Sequence, residues 1–255
     1  MNAHFFEFDS QCDDRGDLVK VSRPERNQTA VVYVETALIN DKYLNAKGLV
    51  EALSASIKNI LAASAKYSED GWKEQASKHL GNIAFETRKL QQAAIARAQS
   101  LENKWKEWLS PPKTVSPERL SELRSHLRGL KPAEVLRLTT QDGLIALAAL
   151  EAPEGIPGLN DEGIFKHIKR AAALYSLKEA YAPQMQQNPD LNNPIAHGRD
   201  EKALQKIAED SLKNYEQAQH AVKGVKKILN QAVNYYALVA DVSPHEAFDV
   251  MGLGK

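Results

Sequence analysis

Proline is absent from residues 25–110 and again from residues 195–243, while nine of the eleven prolines lie between Pro111 and Pro194. A proline inside a helix removes a backbone hydrogen bond, clashes with the preceding turn and costs about 3 kcal/mol or more. Long helices are therefore confined to the two proline-free stretches, and the middle of the chain must break into short pieces. The apolar pattern agrees. Trp72, Ala76, Leu80, Ile83, Thr87, Leu90, Ala94, Ala98, Leu101, Trp105 and Trp108 cover 36 residues in ten steps, a mean of 3.6. That is the α-helical period, and it predicts one long helix over about 72–109, stopped by Ser110-Pro111-Pro112.

In the second stretch, Leu204, Ala208, Ser211, Tyr215, Ala218, Val222, Val225, Leu229, Ala232, Tyr236 and Val239 alternate steps of four and three, a mean of 3.5. Such a heptad seam favours left-handed supercoiling against a partner helix. Ile207, Leu212, Ile228, Val233 and Leu238 flank the seam, so the apolar face is wider than a two-stranded coil needs and predicts a bundle. This helix spans about 199–240.

The shorter elements are marked by caps and turns. Residues 42–66 carry helical periodicity. Ser116-Pro117-Glu118 opens a helix with Ser at the N-cap and Pro at the first position, running to about Gly129. A short turn follows Lys131-Pro132. Thr140 is placed to cap the apolar stretch Leu144–Leu150, Asp161–Tyr181 reads as a helix, and Pro183–Gly198 is a polar loop. Ser243-Pro244-His245-Glu246 is a capping box for a short last helix. Residues 1–36 differ from the rest. Phe5, Phe6 and Phe8, the turn Asp13-Asp14-Arg15-Gly16 and the alternating Leu18-Val19-Lys20-Val21 predict a β-hairpin. Ala30-Val31-Val32-Tyr33-Val34 is either a third strand or the start of a helix through Leu38.

The expected fold is mainly α: an elongated helical bundle with two long helices and a small N-terminal β-hairpin or arm. The expected segments are a β-rich arm (1–40), a helical hairpin (41–110), short helices with Pro-rich loops (111–198), and the long C-terminal helix with a short terminal helix (199–255). Residues 41–255 read as one helical domain.

Composition narrows the function. The 255 residues carry 33 Lys and Arg against 33 Asp and Glu, a net charge of zero, so there is no global pull towards nucleic acid or anionic lipid. Hydrophobic residues at 43% and charged residues at 26% are those of an ordinary globular chain, not a disordered one. A lone Cys12 excludes an internal disulfide framework and a Cys-rich zinc site. The opening Met1–Asp9 has no basic region followed by a long apolar run, so no secretory signal is read there. No apolar run approaches the roughly 18 residues that span a membrane. The expected location is the cytoplasm or a particle assembled in it, with no membrane partner.

No catalytic constellation, cofactor motif or metal site is legible. The seven histidines include no His-Glu-x-x-His and no Glu-x-x-His pair. Glu122 with His126, and His245 with Asp249, read as surface pairs at helical spacing. Gly252-Leu253-Gly254-Lys255 looks like a phosphate-loop fragment but reads as a tail without a following helix. Asp13 and Asp14 disfavour a thiolate at Cys12. The spacing Arg119-x6-His126 is met in helical ribonucleases of the HEPN class, with Leu120 apolar where that family has a polar residue. An Arg stabilising the reacting phosphate and a His acting as base would be its chemistry, and a helical hydrolase is the second alternative.

The first alternative is a nucleic-acid-associated regulator using a basic middle, with Arg119, Arg124, Arg128 and Lys131 as contacts. No aromatics interleave with these residues to stack bases, so it is not favoured. The leading expectation is a non-enzymatic assembly or adaptor protein that binds protein partners or itself, as a homo-oligomer. An arm with unpaired strand edges can add to another chain. Phe5, Phe6, Phe8, Val19 and Val21 are its expected partner-binding residues. Trp72 and Trp105 read as core, and Trp108, at the helix end, as an exposed anchor. In general texture the chain resembles virion components or assembly factors of bacterial viruses; that likeness assigns no residue a role.

Overall fold

A computed structural model describes residues 6–64, 66–113, 115–185 and 198–254. Phe5 and most of the Pro183–Gly198 loop lie outside the described residues. The architecture is mainly α, with ten helices and one three-stranded antiparallel sheet among the described residues. No helix there is long and apolar enough to cross a membrane.

The chain begins as the expected hairpin. Strand β1 (Glu7–Asp13) pairs with β2 (Gly16–Arg23), and β2 pairs with β3 (Gln28–Glu35), in the order β1-β2-β3. The Asp13 side chain holds the first turn by accepting from the N–H groups of Arg15 (2.8 Å) and Gly16 (3.0 Å). Gly16 is required there, because a Cβ would collide with the Val34 carbonyl oxygen. The run Ala30–Val34 is thus strand, and only Thr36–Ile39 becomes helix (α1).

Helix α2 is Lys47–Ser64, not residues 42–66. Asp41 accepts from the N–H groups of Tyr43 and Leu44 (both 2.8 Å), and Asn45 has φ 42°. This side-chain-to-backbone turn occupies the segment in which the helix was expected to start. The helix expected over 72–109 is interrupted at Leu80, giving α3 (Glu69–His79) and α4 (Gly81–Trp108). The break is one residue deep. Leu80 N–H still reaches Ala76 O and Ala84 N–H reaches Leu80 O, so the apolar phase survives it. Gly81, a poor helix residue, sits at the break.

In the middle of the chain α5 (Pro117–Arg128), α6 (Pro132–Gln141), α7 (Gly143–Glu151) and α8 (Glu162–Tyr181) follow. Ser116 caps α5 as its sequence predicts, and Asp161, read from sequence only as the start of a helix, is the cap of α8. Thr140 does not cap α7. It lies inside α6, bonded to Leu136 O, and Asp142 is the cap, accepting from Leu144 N–H. Helix α9 is Glu201–Ala240, and α10 (Pro244–Val250) opens with the Ser243/Glu246 capping box.

The described chain forms two compact units. One holds the chain up to Gln99 and again from Gln219; the other is Ser100–Ala218. The core of the first joins the inner face of the sheet (Val19, Val21, Ala30, Val32, Val34) to Leu49, Leu53 and Ile60 of α2, Trp72 of α3, Ile83 and Leu90 of α4, and Val225, Ala232, Tyr235 and Val239 of α9. Burying each large aliphatic side chain contributes about 1.5–3 kcal/mol. Polar atoms inside this core are satisfied: Ser56 Oγ donates to Leu53 O and lies 3.0 Å from the Tyr235 hydroxyl. Burial pushes that hydroxyl up to about 12, against the Ser56 hydrogen bond that lowers it.

The second unit is built round α7. Ala146, Leu147, Ala148 and Ala149 are all buried, so this helix is enclosed on every side, as an all-apolar helix must be. Leu127, Val135, Ile168 and Ala172 surround it. Gly143 lets α7 approach α8 closely, because a Cβ there would collide with Tyr175.

Candidate functional site

Several of the expected site residues are in the core. Phe6, Val19 and Val21 are buried in the first unit, and half-buried Phe8 packs against the same cluster. The expectation that these side chains meet a partner is corrected accordingly: they hold the sheet to the chain's own helices. Trp72 is likewise core, as expected. Trp108 is not a free anchor either. It is half-buried, 5.2 Å from the Tyr215 ring and 6.2 Å from Trp105, which stacks on Tyr215 at 5.1 Å.

The basic residues of the middle are exposed or nearly so, but two of the four are engaged. Arg119 pairs with Glu122 (3.1 Å) and Arg124 pairs with Glu151. Arg128 and Lys131 lie at the solvent surface, as does His126. Cys12 is exposed on β1, and its thiol is held above the ordinary range by the hydrogen bond and charge of Asp17, with Asp13 and Asp14 adding.

A cleft of about 480 Å³ in the second unit is lined by Asp142, His167, Arg170, Tyr175, Lys178 and Gln205, among others. Its arginine and lysine are already paired, and its aspartate is engaged by the backbone. Arg170 pairs with Glu216, Lys178 with Glu201 (2.8 Å), and Asp142 caps α7. The Tyr175 hydroxyl is raised by burial and by Glu179 and Asp142, which makes it a weaker acid, not an activated one. Among the described residues no three His, Cys, Asp or Glu side chains cluster as a metal site would require.

A second cleft, about 510 Å³, lies in the first unit along the open side of β3. Its orientation follows from two hydrogen bonds. Thr36 N–H donates to Arg15 O across the β2 side (2.9 Å), whereas Tyr33 N–H donates to Gln231 Oε1 of α9 (3.1 Å). Alternate residues of a strand point their N–H and C=O groups to opposite sides. Ala30, Val32 and Val34 therefore face β2, and Thr29 and Val31 face the cleft. Gln231, Asn234 and Leu238 of α9, and Asp241 just after it, spaced three, four and three apart, run beside this edge. Gln231 closes one end on Tyr33, and Leu238, Ala237 and Val242 supply an apolar floor beside Val31. Asn27, Gln28, Thr29 and Asn234 form the polar rim.

The far end is fixed by Asp241, which follows α9 with φ 58°. Val242 N–H returns to Ala237 O (3.0 Å), the hydrogen bond of a left-handed helix terminus in which glycine is the usual residue. An aspartate here holds two arginines, Arg23 at 2.9 Å and Arg26 at 2.5 Å. Arg23 is 3% exposed and also lies over the Phe6 ring, 5.4 Å from its centroid. Partial burial alone would raise the Asp241 carboxyl, but the Arg26 hydrogen bond and the charges of Arg23, Arg26 and Lys73 outweigh it and hold it below the ordinary aspartate value. A depressed carboxylate contributes stability above the unfolded value, and that stability is lost as pH falls through the folded one. The wild-type melting temperature is thus expected to fall on acidification below the ordinary aspartate range. Asp241→Asn, which keeps the left-handed backbone accessible, should melt lower at neutral pH and show a shallower acid limb. Parallel acid limbs in the two proteins would show that this pair is not a determinant of acid stability.

Sequence reasoning found the β-branched run of β3 but not its open side. The one available signal is the polar-apolar stripe Gln231–Asp241 flanking the heptad seam. No protein-family model matches the chain, and neither a curated protein nor a solved structure matches it.

Proposed function

We propose that the chain is a non-enzymatic assembly or adaptor protein that works through protein–protein contacts, with self-association as its simplest form. The observation that carries the reading is the open edge of β3 beside an apolar-floored cleft. Unpaired strand edges bind other chains unless they are guarded by charge, proline or a covering element. The opposite edge, β1, carries Glu7, Asp9 and Asp13, whereas the cleft-facing residues of β3 carry no charge between Thr29 and Val31. A role as a virion or assembly component of a bacterial virus is the narrower form of the same reading.

Light scattering over a range of concentration and salt is the direct test. A discrete oligomer that salt does not dissolve is expected, because apolar and backbone contacts are insensitive to screening and the chain is net neutral. The mass of one chain at every concentration would rule out self-assembly. Deleting residues 1–29 is a poor perturbation, since it removes Phe6, Val19 and Val21 from the core. Val31→Pro is better. Its lost N–H faces away from β2, so the β2–β3 ladder keeps its hydrogen bonds, as edge prolines allow.

A further inference from the structure

Resting on the reading above, we propose that the β3 cleft takes one short, extended, uncharged polypeptide segment, added as a fourth strand alongside Gln28–Val31, with an aliphatic side chain seated on Leu238 and Val242. Three observations define this occupant. The first is the backbone. Thr29 and Val31 each turn an N–H and a C=O into the cleft, and neither group has a partner among the described residues. Their two-residue spacing matches the rungs of a β-ladder and of nothing else in a polypeptide.

The second is length. Gln231 occupies the next outward N–H, that of Tyr33, and the chain turns away before Gln28 at Asn27, which has φ 51°. Two outward residues remain, which admits a segment of about four or five residues. The third is charge. Of the lining residues only Asp241 is ionised, and Arg23 and Arg26 already neutralise it. A charged side chain would enter the cleft without a counter-charge, beside Leu238, Ala237 and Val242, which is unfavourable. Main-chain rungs give the affinity and the floor gives the selectivity, as in other strand-addition sites.

The probe is the blocked peptide acetyl-Ser-Val-Thr-Val-Ser-amide, titrated into the full chain and followed by backbone amide resonances. Saturable shifts at Thr29, Val31 and Leu238 are expected. Two changes to the peptide leave the protein untouched. N-methylation of the rung-forming amides should abolish the shifts, and replacing both Val residues by Asp should weaken binding by about tenfold or more. Leu238→Glu should weaken the Val peptide by a similar factor, and Val31→Pro should remove binding while the other strand resonances hold.

An N-methylated peptide that binds as well as its parent would overturn strand addition, and so would shifts centred elsewhere. The two readings fail separately. Peptide shifts in a protein that keeps the mass of one chain support this inference and overturn self-assembly. An oligomer whose mass falls with Val31→Pro supports it with a second copy supplying the strand. An oligomer untouched by Val31→Pro, together with no peptide shift, overturns the inference and leaves assembly by another surface.

Discussion

Val225→Asp is expected to destabilise the first unit by several kcal/mol, enough to lower the melting temperature by more than about 10 °C. Val225 lies on the heptad seam of α9 and is 0% exposed. It sits in the cluster that joins α9 to the sheet and to α2, α3 and α4. A carboxylate placed there exchanges favourable apolar burial for an unpaired charge. Since a domain of this kind holds only about 5–15 kcal/mol in total, the variant should be largely unfolded in that unit at moderate temperature. Lys226→Asp, one residue on and exposed, is the control and should change stability by no more than about 0.5 kcal/mol. Differential scanning calorimetry of the two variants decides the matter. A Val225→Asp protein melting with the wild type would mean that the seam faces outward and is itself a partner surface.

Trp72→Ala should cost about 3–5 kcal/mol, for two reasons that a second variant separates. The indole is 1% exposed and fills the space between Phe6 (5.8 Å) and His79 (5.6 Å). Its Nε1–H also donates to Val239 O (2.7 Å). The last four carbonyls of a helix have no partner within it, and Val239 belongs to that set in α9. Trp72 therefore caps α9 from another helix while packing the core. Trp72→Phe keeps most of the packing and loses only the donor, so it should cost about 1–3 kcal/mol. Urea midpoints followed by far-ultraviolet circular dichroism would show the order wild type, Phe, Ala. Equal midpoints for Phe and Ala would assign the whole effect to the hydrogen bond and refute the packing account.

These two residues show what was readable in advance. Both stand on the periodic apolar lines, and every position of the first line up to Ala94 is buried. The caps at Ser116 and Ser243 were also readable, because a side-chain oxygen meeting a backbone N–H two or three residues on is a local event. Thr140 failed because Asp142 stands two residues later, and the better-placed oxygen took the Leu144 N–H. The helix start at residue 42 failed because Asp41 offered Tyr43 and Leu44 a turn in place of a helix. In each case a competing local hydrogen bond won, and periodicity alone carries no information about such competition.

The interaction surface was less legible. An arm rich in Phe and Val looks like a sticky segment in a linear reading, yet Phe6, Val19 and Val21 face inward. Alternation tells which residues share a face of a strand but not which face the rest of the chain will cover. Tyr33 and Gln231, whose hydrogen bond reveals the direction of the open edge, are 198 residues apart in sequence.

The sequence by itself determined where helices can run, through the placement of proline, and which side of each is apolar, through spacing. It also determined the β1–β2 hairpin and several of the caps, since these depend on neighbours a few residues away, while Ala30–Val34 stayed open between strand and helix. Only the tertiary structure decided that the arm's apolar residues belong to the core, that β3 is an edge with Thr29 and Val31 turned outward, and that Asp241 binds two arginines in a left-handed turn. Those outcomes depend on distant segments meeting, and burial, pairing and desolvation are properties of the assembled surface, not of any segment alone.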